Sequence, residues 1–183
     1  MDDLEREKRD GVSRWYLRAV RLRRRTLGRN ARVPGFGLAA VLFGTMCKVL
    51  VERLGWETAE ELVKEAVQRF GKQRGRRIAA RVSAAGKPLS LKNWLIYSDI
   101  DPSNFVASPR IDRGDLVAAV STCTFDGAAR EWGLGDYARL YCKYADHAIL
   151  EGYNPDVKLV LEDRHVTGRD HCLFRYVMKE QNK

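Results

Sequence analysis

Along the first hundred positions, apolar residues recur at the three- and four-residue spacing of helices; beyond them the pattern switches to every second residue. Residues 1–29 interleave basic side chains with Trp15, Tyr16, Leu17, Val20 and Leu22, predicting a helix that docks loosely or swaps onto a partner. "VPGFG" ends it, because Pro34 cannot continue a helix. A second helix is predicted from about Leu38 to Leu54, closed by Gly55. A third begins at Thr58, with Glu61 as its capping-box partner. Leu62, Val63, Ala66, Val67 and Phe70 carry it at helical spacing, and Gly71 and Gly75 predict a break or bend before it continues to about Ser83. Ser90 caps a short fourth helix in "SLKNWLIYSD".

The stretch "FVASPRIDRGDLVAAVSTCTF" then predicts two strands joined by a turn at Arg113-Gly114. Alternation along the second strand places Val117, Ala119, Ser121, Cys123 and Phe125 on one face. A helical pair follows at about 126–133 and 136–151, separated by Gly133 and Gly135. "DVKLVLEDRHVTGRDHCLFRYVMK" closes the chain as a hairpin. Val157, Leu159 and Leu161 share one side of its first strand; Cys172, Phe174, Tyr176 and Met178 share one side of the second. The order of helices, hairpin, helices, hairpin predicts an α+β fold: N-terminal helices followed by an antiparallel sheet of about four strands. With no repeat or low-complexity linker, residues 1–183 read as one domain. It comprises a basic helix or arm over 1–30, a helical part over 36–100 and an α+β part over 105–180 that carries the candidate site.

Composition narrows the class. Hydrophobic residues make up 45% and charged residues 31%, a globular balance rather than a disordered one. No apolar run reaches the roughly 18–20 residues of a membrane span, since Phe36 to Val51 is interrupted by Gly37, Gly44 and Lys48. "MDDLEREKRD" is the wrong start for a secretory signal, so the four cysteines are expected to be reduced, cytoplasmic thiols. The net charge of +9 belongs to the N-terminal half: residues 1–30 carry ten Lys/Arg against five Asp/Glu, and residues 64–87 carry eight against one. No helix-turn-helix, zinc-finger or RNA-binding sheet signature accompanies it, which argues against nucleic acid. Solvated helix faces with a basic arm, a phosphate-binding surface, or a field steering an anionic small substrate all fit the charge. Trp15 and Tyr16 on the first helix leave a homodimer contact open.

The candidate chemistry sits in "CKYADHAILEGYNP", residues 142–155. Cys142 and Asp146 are at i and i+4, so they neighbour each other on one helix, on a stripe that also carries Ala145, Ile149 and Leu150. A carboxylate on an apolar stripe must be hydrogen-bonded, paired or protonated. Arg175 or a helix cap would serve as a structural partner; a site is the alternative. Cys123 and Cys172 lie on apolar strand faces that two hairpins of one sheet could bring to that helix. Cys47, in an apolar helix, reads as inert packing. The imidazoles His147, His165 and His171 are all in this half, but adjacency alone pairs none of them with a thiol. There is no CxxC or HxxxH, so no metal or cofactor is expected.

At these residues the chain resembles the L-2-amino-thiazoline-4-carboxylic acid hydrolase family. The resemblance rests on Cys123, Trp132, Cys142 and Asp146, on Gly152-Tyr153-Asn154-Pro155, and on Gly168 through Arg175. It implies opening of a thiazoline ring by water added at the carbon between nitrogen and sulfur, giving a carbamoyl-cysteine. On that reading Cys142 or Cys123 attacks, Asp146 holds or moves a proton, and Cys172 lines the pocket. Asn154, Tyr144 and Arg175 are candidate substrate-binding residues, although Arg175 points to the strand face opposite Cys172. The closing hairpin is also similar to the small-molecule-binding 4-vinyl-reductase domains, and that resemblance implies a non-catalytic sensor module instead.

Overall fold

The computed structural model describes residues 2–27 and 35–177, without the side chains of His165 and Val166. Pro34 and Met178 therefore lie outside the described residues, as does the imidazole of His165. Residues 2–27 do not form one helix. Gly11 (φ 70°) divides the segment into α1 (Asp3–Asp10) and α2 (Arg14–Thr26), opened by the side-chain caps Asp2 and Ser13. A Cβ at Gly11 would sit 2.5 Å from the Gly114 carbonyl oxygen, which instead accepts the Val12 N–H at 3.0 Å. Only glycine permits that approach. Glu7, 2% exposed, accepts the backbone N–H groups of Leu91 and Lys92 and the hydroxyl of Tyr16. Arg24 donates to the carbonyls of Leu95, at 2.7 Å, and of Ile100. The arm is thus fastened to the body by polar groups that the apolar pattern does not show.

Gly55 (φ 78°) joins α3 (Phe36–Leu54) to α4 (Trp56–Ala84). It is also the N-cap of α4, so Thr58 and Glu61 lie inside the helix rather than opening it. Nor does α4 break at Gly71 and Gly75: it runs unbroken for 29 residues. Those glycines serve packing. A Cβ at Gly71 would come within 2.7 Å of the Ala148 Cβ, and one at Gly75 would overlap the Ile149 carbonyl oxygen of α7 (Gly135–Tyr153). From the other side, a Cβ at Gly152 would overlap the backbone of Lys72. Two helices at backbone contact have no room for a side chain between them. Their seam holds Val63, Val67, Ile78, Val82, Leu140, Ala145, Ile149 and Tyr153, with Cys47 of α3 sealed beside them.

Ser90 opens α5 (Leu91–Tyr97) by accepting from the Asn93 N–H, as predicted, and a 3-10 turn at Pro102–Asn104 leads into the sheet. β1 (Phe105–Asp112) turns through Arg113 (φ 54°) and Gly114 (φ 91°) into β2 (Asp115–Cys123). After α6 (Thr124–Glu131) and α7, β3 (Lys158–Glu162) reaches β4 (Cys172–Val177) through the short α8 (Arg164–Thr167). The strands stand in the order β1-β2-β4-β3, all antiparallel, so the fold is α+β with four strands. One sheet face carries Ile111, Leu116, Leu159 and Tyr176 and packs on α5, α2 and Leu150 of α7. The opposite face carries the exposed Val106 and Val160.

One irregularity decides where the chemistry goes. Val106 pairs with Thr122 but Ala107 pairs with Val120, so Ser121 is an extra residue in β2. Leu116, Ala118 and Val120 stand opposite Tyr176, Phe174 and Cys172 and share their face. Past the bulge the alternation shifts by one, and Cys123 comes onto that same face. The expectation that Val117, Ala119, Ser121 and Cys123 lie together is therefore wrong: Val117 and Ala119 face the other way, beside Arg175 and Leu173. Phe125 belongs to α6 and packs in its core.

Candidate functional site

Cys123 and Cys142 lie within electrostatic reach of Asp146, and Cys172 lies within reach of Cys142. Cys142 and Asp146 come from α7, Cys172 from the start of β4, and Cys123 from the end of β2. Cys123 stands at the N-cap of α6, where the backbone N–H groups of Phe125 and Asp126 point toward its sulfur without closing a full capping bond. Charge on Asp146, Cys123, Asp163 or Cys172 disfavours ionisation of Cys142, so all four lie within electrostatic reach of it. All three thiols and Asp146 are half-buried by surface exposure, although heavy atoms crowd around Cys142 and Asp146 on every side. Among the described residues, no three His, Cys, Asp or Glu side chains converge tightly enough to hold a metal ion.

Asp146 carries the strongest signal. Burial pushes its carboxyl up to about 6, against the opposing pull of Arg74 and His147. Among the described residues nothing donates a hydrogen bond to it. Arg74 of α4 is held in place by Asp99, whose carboxylate accepts its Nε–H at 2.9 and 3.0 Å, and it donates through Nη1 to the Tyr141 hydroxyl at 3.1 Å. Burial in turn raises the Tyr141 phenol to about 12, so it stays protonated. Tyr176 of β4 also lies within the field of Asp146.

The thiols are pushed up as well. Burial is the largest cause for each. Cys142 is raised most, by burial and then by Asp146 and its neighbouring thiols. Cys123 and Cys172 are partly relieved, the first by the amides of α6 and the second by the Arg164 N–H and guanidinium. The Cys172 thiol reaches an Asp163 carboxylate oxygen at 4.0 Å. At the same end, Arg164 donates to the carbonyls of Ser121 and Asp170 and pairs with Asp126 at 3.5 Å. Its Nε–H is buried and has no partner among the described residues.

Comparison with known proteins places the chain in a family. A family model described as L-2-amino-thiazoline-4-carboxylic acid hydrolase matches residues 36–176, from the first residue of α3 to Tyr176 of β4. The chain belongs to the L-2-amino-thiazoline-4-carboxylic acid hydrolase family. No curated protein and no solved structure matches it. The matched hydrolase segment contains Cys123, Cys142, Asp146 and Cys172 and leaves α1 and α2 outside.

Three residues expected from the sequence to bind substrate stand elsewhere in this hydrolase-family chain. Asn154 caps the end of α7: its amide donates to the Leu89 carbonyl at 2.7 Å and its oxygen accepts the Asp156 N–H at 2.9 Å. That is turn chemistry. The Tyr144 hydroxyl is turned to Glu60 at the start of α4, beside Lys143. Arg175 lies on the opposite sheet face from Cys172, as its strand position implies, where it bridges Asp112 and, at 2.9 Å, Asp115. His147 is exposed on α7 beside Leu150 and Glu151, and His171 pairs with its neighbour Asp170.

Sequence reasoning missed Arg74, Asp99, Tyr141, Asp163, Arg164 and Tyr176. Arg74 left a readable trace: it lies three residues after the buried Gly71 and four before the buried Ile78, on the inward side of α4. The basic run around it hid the one cation facing inward. Arg164 left none, because its place depends on how α8 closes over Cys172.

Proposed function

We propose that the protein opens a small thiazoline-type ring by adding water at the carbon between ring nitrogen and sulfur. What supports this reading is Asp146, a carboxyl with its titration near 6 and within electrostatic reach of Cys123 and Cys142, in a chain of the thiazoline hydrolase family. A carboxyl poised just below neutrality can take a proton in one step and return it in the next.

Cys123 is the nucleophile in this scheme, since amides of α6 face its sulfur whereas Cys142 has only acidic neighbours. Its proton passes to Asp146 as sulfur bonds to the amidine carbon. The C=N pair moves to the ring nitrogen, which takes the proton. The ring C–S bond then breaks, and Asp146 carries a proton from the amino group to the departing sulfur. Water adds to the remaining carbon, loses a proton through Asp146, and expels the Cys123 thiol, leaving a carbamoyl group on the opened product. Ring plus water balances product at every stage. Arg164, with its buried and unpartnered Nε–H beside Cys172, holds the substrate carboxylate.

Single variants test the scheme. With 2-amino-thiazoline-4-carboxylate as substrate, Cys123→Ala is expected to lower kcat on the order of a thousandfold or more. Cys142→Ala, by removing a competing acid from beside Asp146, is expected to stay within about tenfold of the parent. Similar kcat in the parent and in Cys123→Ala would remove the nucleophile. Arg164→Gln is expected to raise KM by about 10–100-fold, the range of one charge-assisted hydrogen bond, with a smaller change in kcat. A drop in kcat alone would take the carboxylate away from Arg164.

One observation favours a second reading. Resting thiols pushed upward suit a small-molecule sensor of the 4-vinyl-reductase kind, which binds without turning over. Saturable binding of the thiazoline with no opened product, in the parent protein, selects that reading.

A further inference from the structure

α1 and α2 precede the matched family segment, and α2 carries a feature that the site does not use. Its sequence RWYLRAVRLRRRT contains six arginines and no acidic residue. Arg24 turns inward to the carbonyls of α5, on the same side as the buried Val20. The other five, Arg14, Arg18, Arg21, Arg23 and Arg25, are exposed, and among the described residues none forms an ion pair. Some other cations, such as Lys8, Arg69 and Lys72, are matched with carboxylates.

Seven residues make two turns, so positions i and i+7 stack along one line of a helix. Three such lines run side by side on the outer face of α2: Trp15 with Leu22, Arg18 with Arg25, and Arg14 with Arg21. Trp15 is 76% exposed and Leu22 68%, and they form the crest farthest from Val20 and Arg24. Arg18 stacks over the Trp15 ring at 4.9 Å, and Arg18, Arg21 and Arg25 line a shallow groove with Leu22. Two large apolar side chains at the outermost line, flanked by unmatched guanidiniums, are the wrong arrangement for water. They suit a surface that is anionic at the level of the arginines and apolar just beneath it.

We propose that α2 is a docking helix for anionic phospholipid bilayers, holding the protein on the surface of a leaflet with Trp15 and Leu22 between the headgroups. This is attachment without crossing: no helix among the described residues is long and apolar enough to span a membrane. The apolar crest decides against nucleic acid, whose phosphodiester backbone would meet Trp15 and Leu22 where it needs donors. Charge decides against a second copy of the chain, because pairing two such faces would appose ten unmatched arginines.

The full chain is mixed with sedimentable vesicles of phosphatidylcholine alone, and of phosphatidylcholine with about one-third phosphatidylglycerol. Binding is expected to the acidic vesicles only, weakening with added salt, with a blue shift of tryptophan emission that is lost in Trp15→Phe. Arg18→Gln with Arg25→Gln is expected to weaken binding by about tenfold or more. Trp15→Ser with Leu22→Ser is expected to weaken it at high salt as well, where charge alone no longer holds the helix. Ring opening by both double variants is expected to match the parent. Three results would overturn the assignment: no vesicle binding, tighter retention by single-stranded RNA than by acidic vesicles, or a dimer dissociated by the Trp15/Leu22 pair.

Discussion

Asp146→Asn is expected to stop ring opening while making the protein more stable above neutral pH. Both effects come from one fact: burial lifts the Asp146 carboxyl from about 3.8 to about 6. A carboxyl whose titration is raised by folding binds its proton more tightly in the folded chain. Its stabilising contribution is complete below the unfolded value and is lost as pH rises through about 6. At pH 8 the ionised carboxylate therefore costs on the order of 3 kcal/mol, about 1.4 for each pH unit of displacement. A neutral amide of the same shape escapes that cost, so melting at pH 8 should rise by several degrees in the variant. The gain should shrink as pH falls through 6 and vanish near 4, where parent and variant are both neutral. Turnover should fall about 10²–10⁴-fold, the usual contribution of a positioned proton-transfer group, and in the parent should rise with pH through a titration near 6. Loss of stability in Asp146→Asn at pH 8 would show instead that Asp146 is a structural counter-ion for Arg74.

Gly75→Ala is expected to be among the most damaging single-methyl changes at the described glycines. The added Cβ would overlap the Ile149 carbonyl oxygen and meet the Tyr153 nitrogen at 2.7 Å, and neither is a side chain that can swing aside. The seam between α4 and α7 must open. Overpacking of this kind costs about 1–3 kcal/mol and more when backbone is the obstacle. The better helix propensity of alanine returns about 1 kcal/mol at most. A net loss of about 2 kcal/mol lowers the melting temperature by roughly 4–8 °C at this chain length. Because Cys142 and Asp146 ride on α7 and Arg74 on α4, kcat should fall together with stability. Gly127→Ala is the control, since nothing lies within 4 Å of its added methyl. Equal melting temperatures for the two variants would mean that the seam is looser than its geometry.

The fold was largely open to reading because its signals are local. The Arg113-Gly114 turn, the Ser90 cap and the alternation in the closing hairpin each act over a few residues. What misled was local as well. Gly71 and Gly75 carry the same signature whether they interrupt a helix or let a second one touch it, and only the position of Gly152 across the seam distinguishes the two. Thr58 and Glu61 have the spacing of a capping box, but Gly55 already turns the chain, so α4 starts earlier. For the site, the pairing of Cys142 with Asp146 follows from helical periodicity. The companions of Asp146 do not, because Arg74 is distant in sequence and dressed as part of a basic run. The side chains of Tyr144 and Asn154 point to Glu60 and Leu89, directions that their positions in the sequence do not reveal.

Ser121 has a bearing on how relatives of this protein should be compared. Cys123 shares a sheet face with Cys172 because of one surplus backbone unit in β2, at which the Ser121 hydroxyl also donates to the Val106 carbonyl at 3.3 Å. A descendant that lost this unit would keep every sulfur and most of its alignment score, yet would present one of them to open solvent. On the proposed scheme, counting cysteines would therefore not separate working paralogues from idle ones. The parity of the interval between the hairpin turn and the first thiol would.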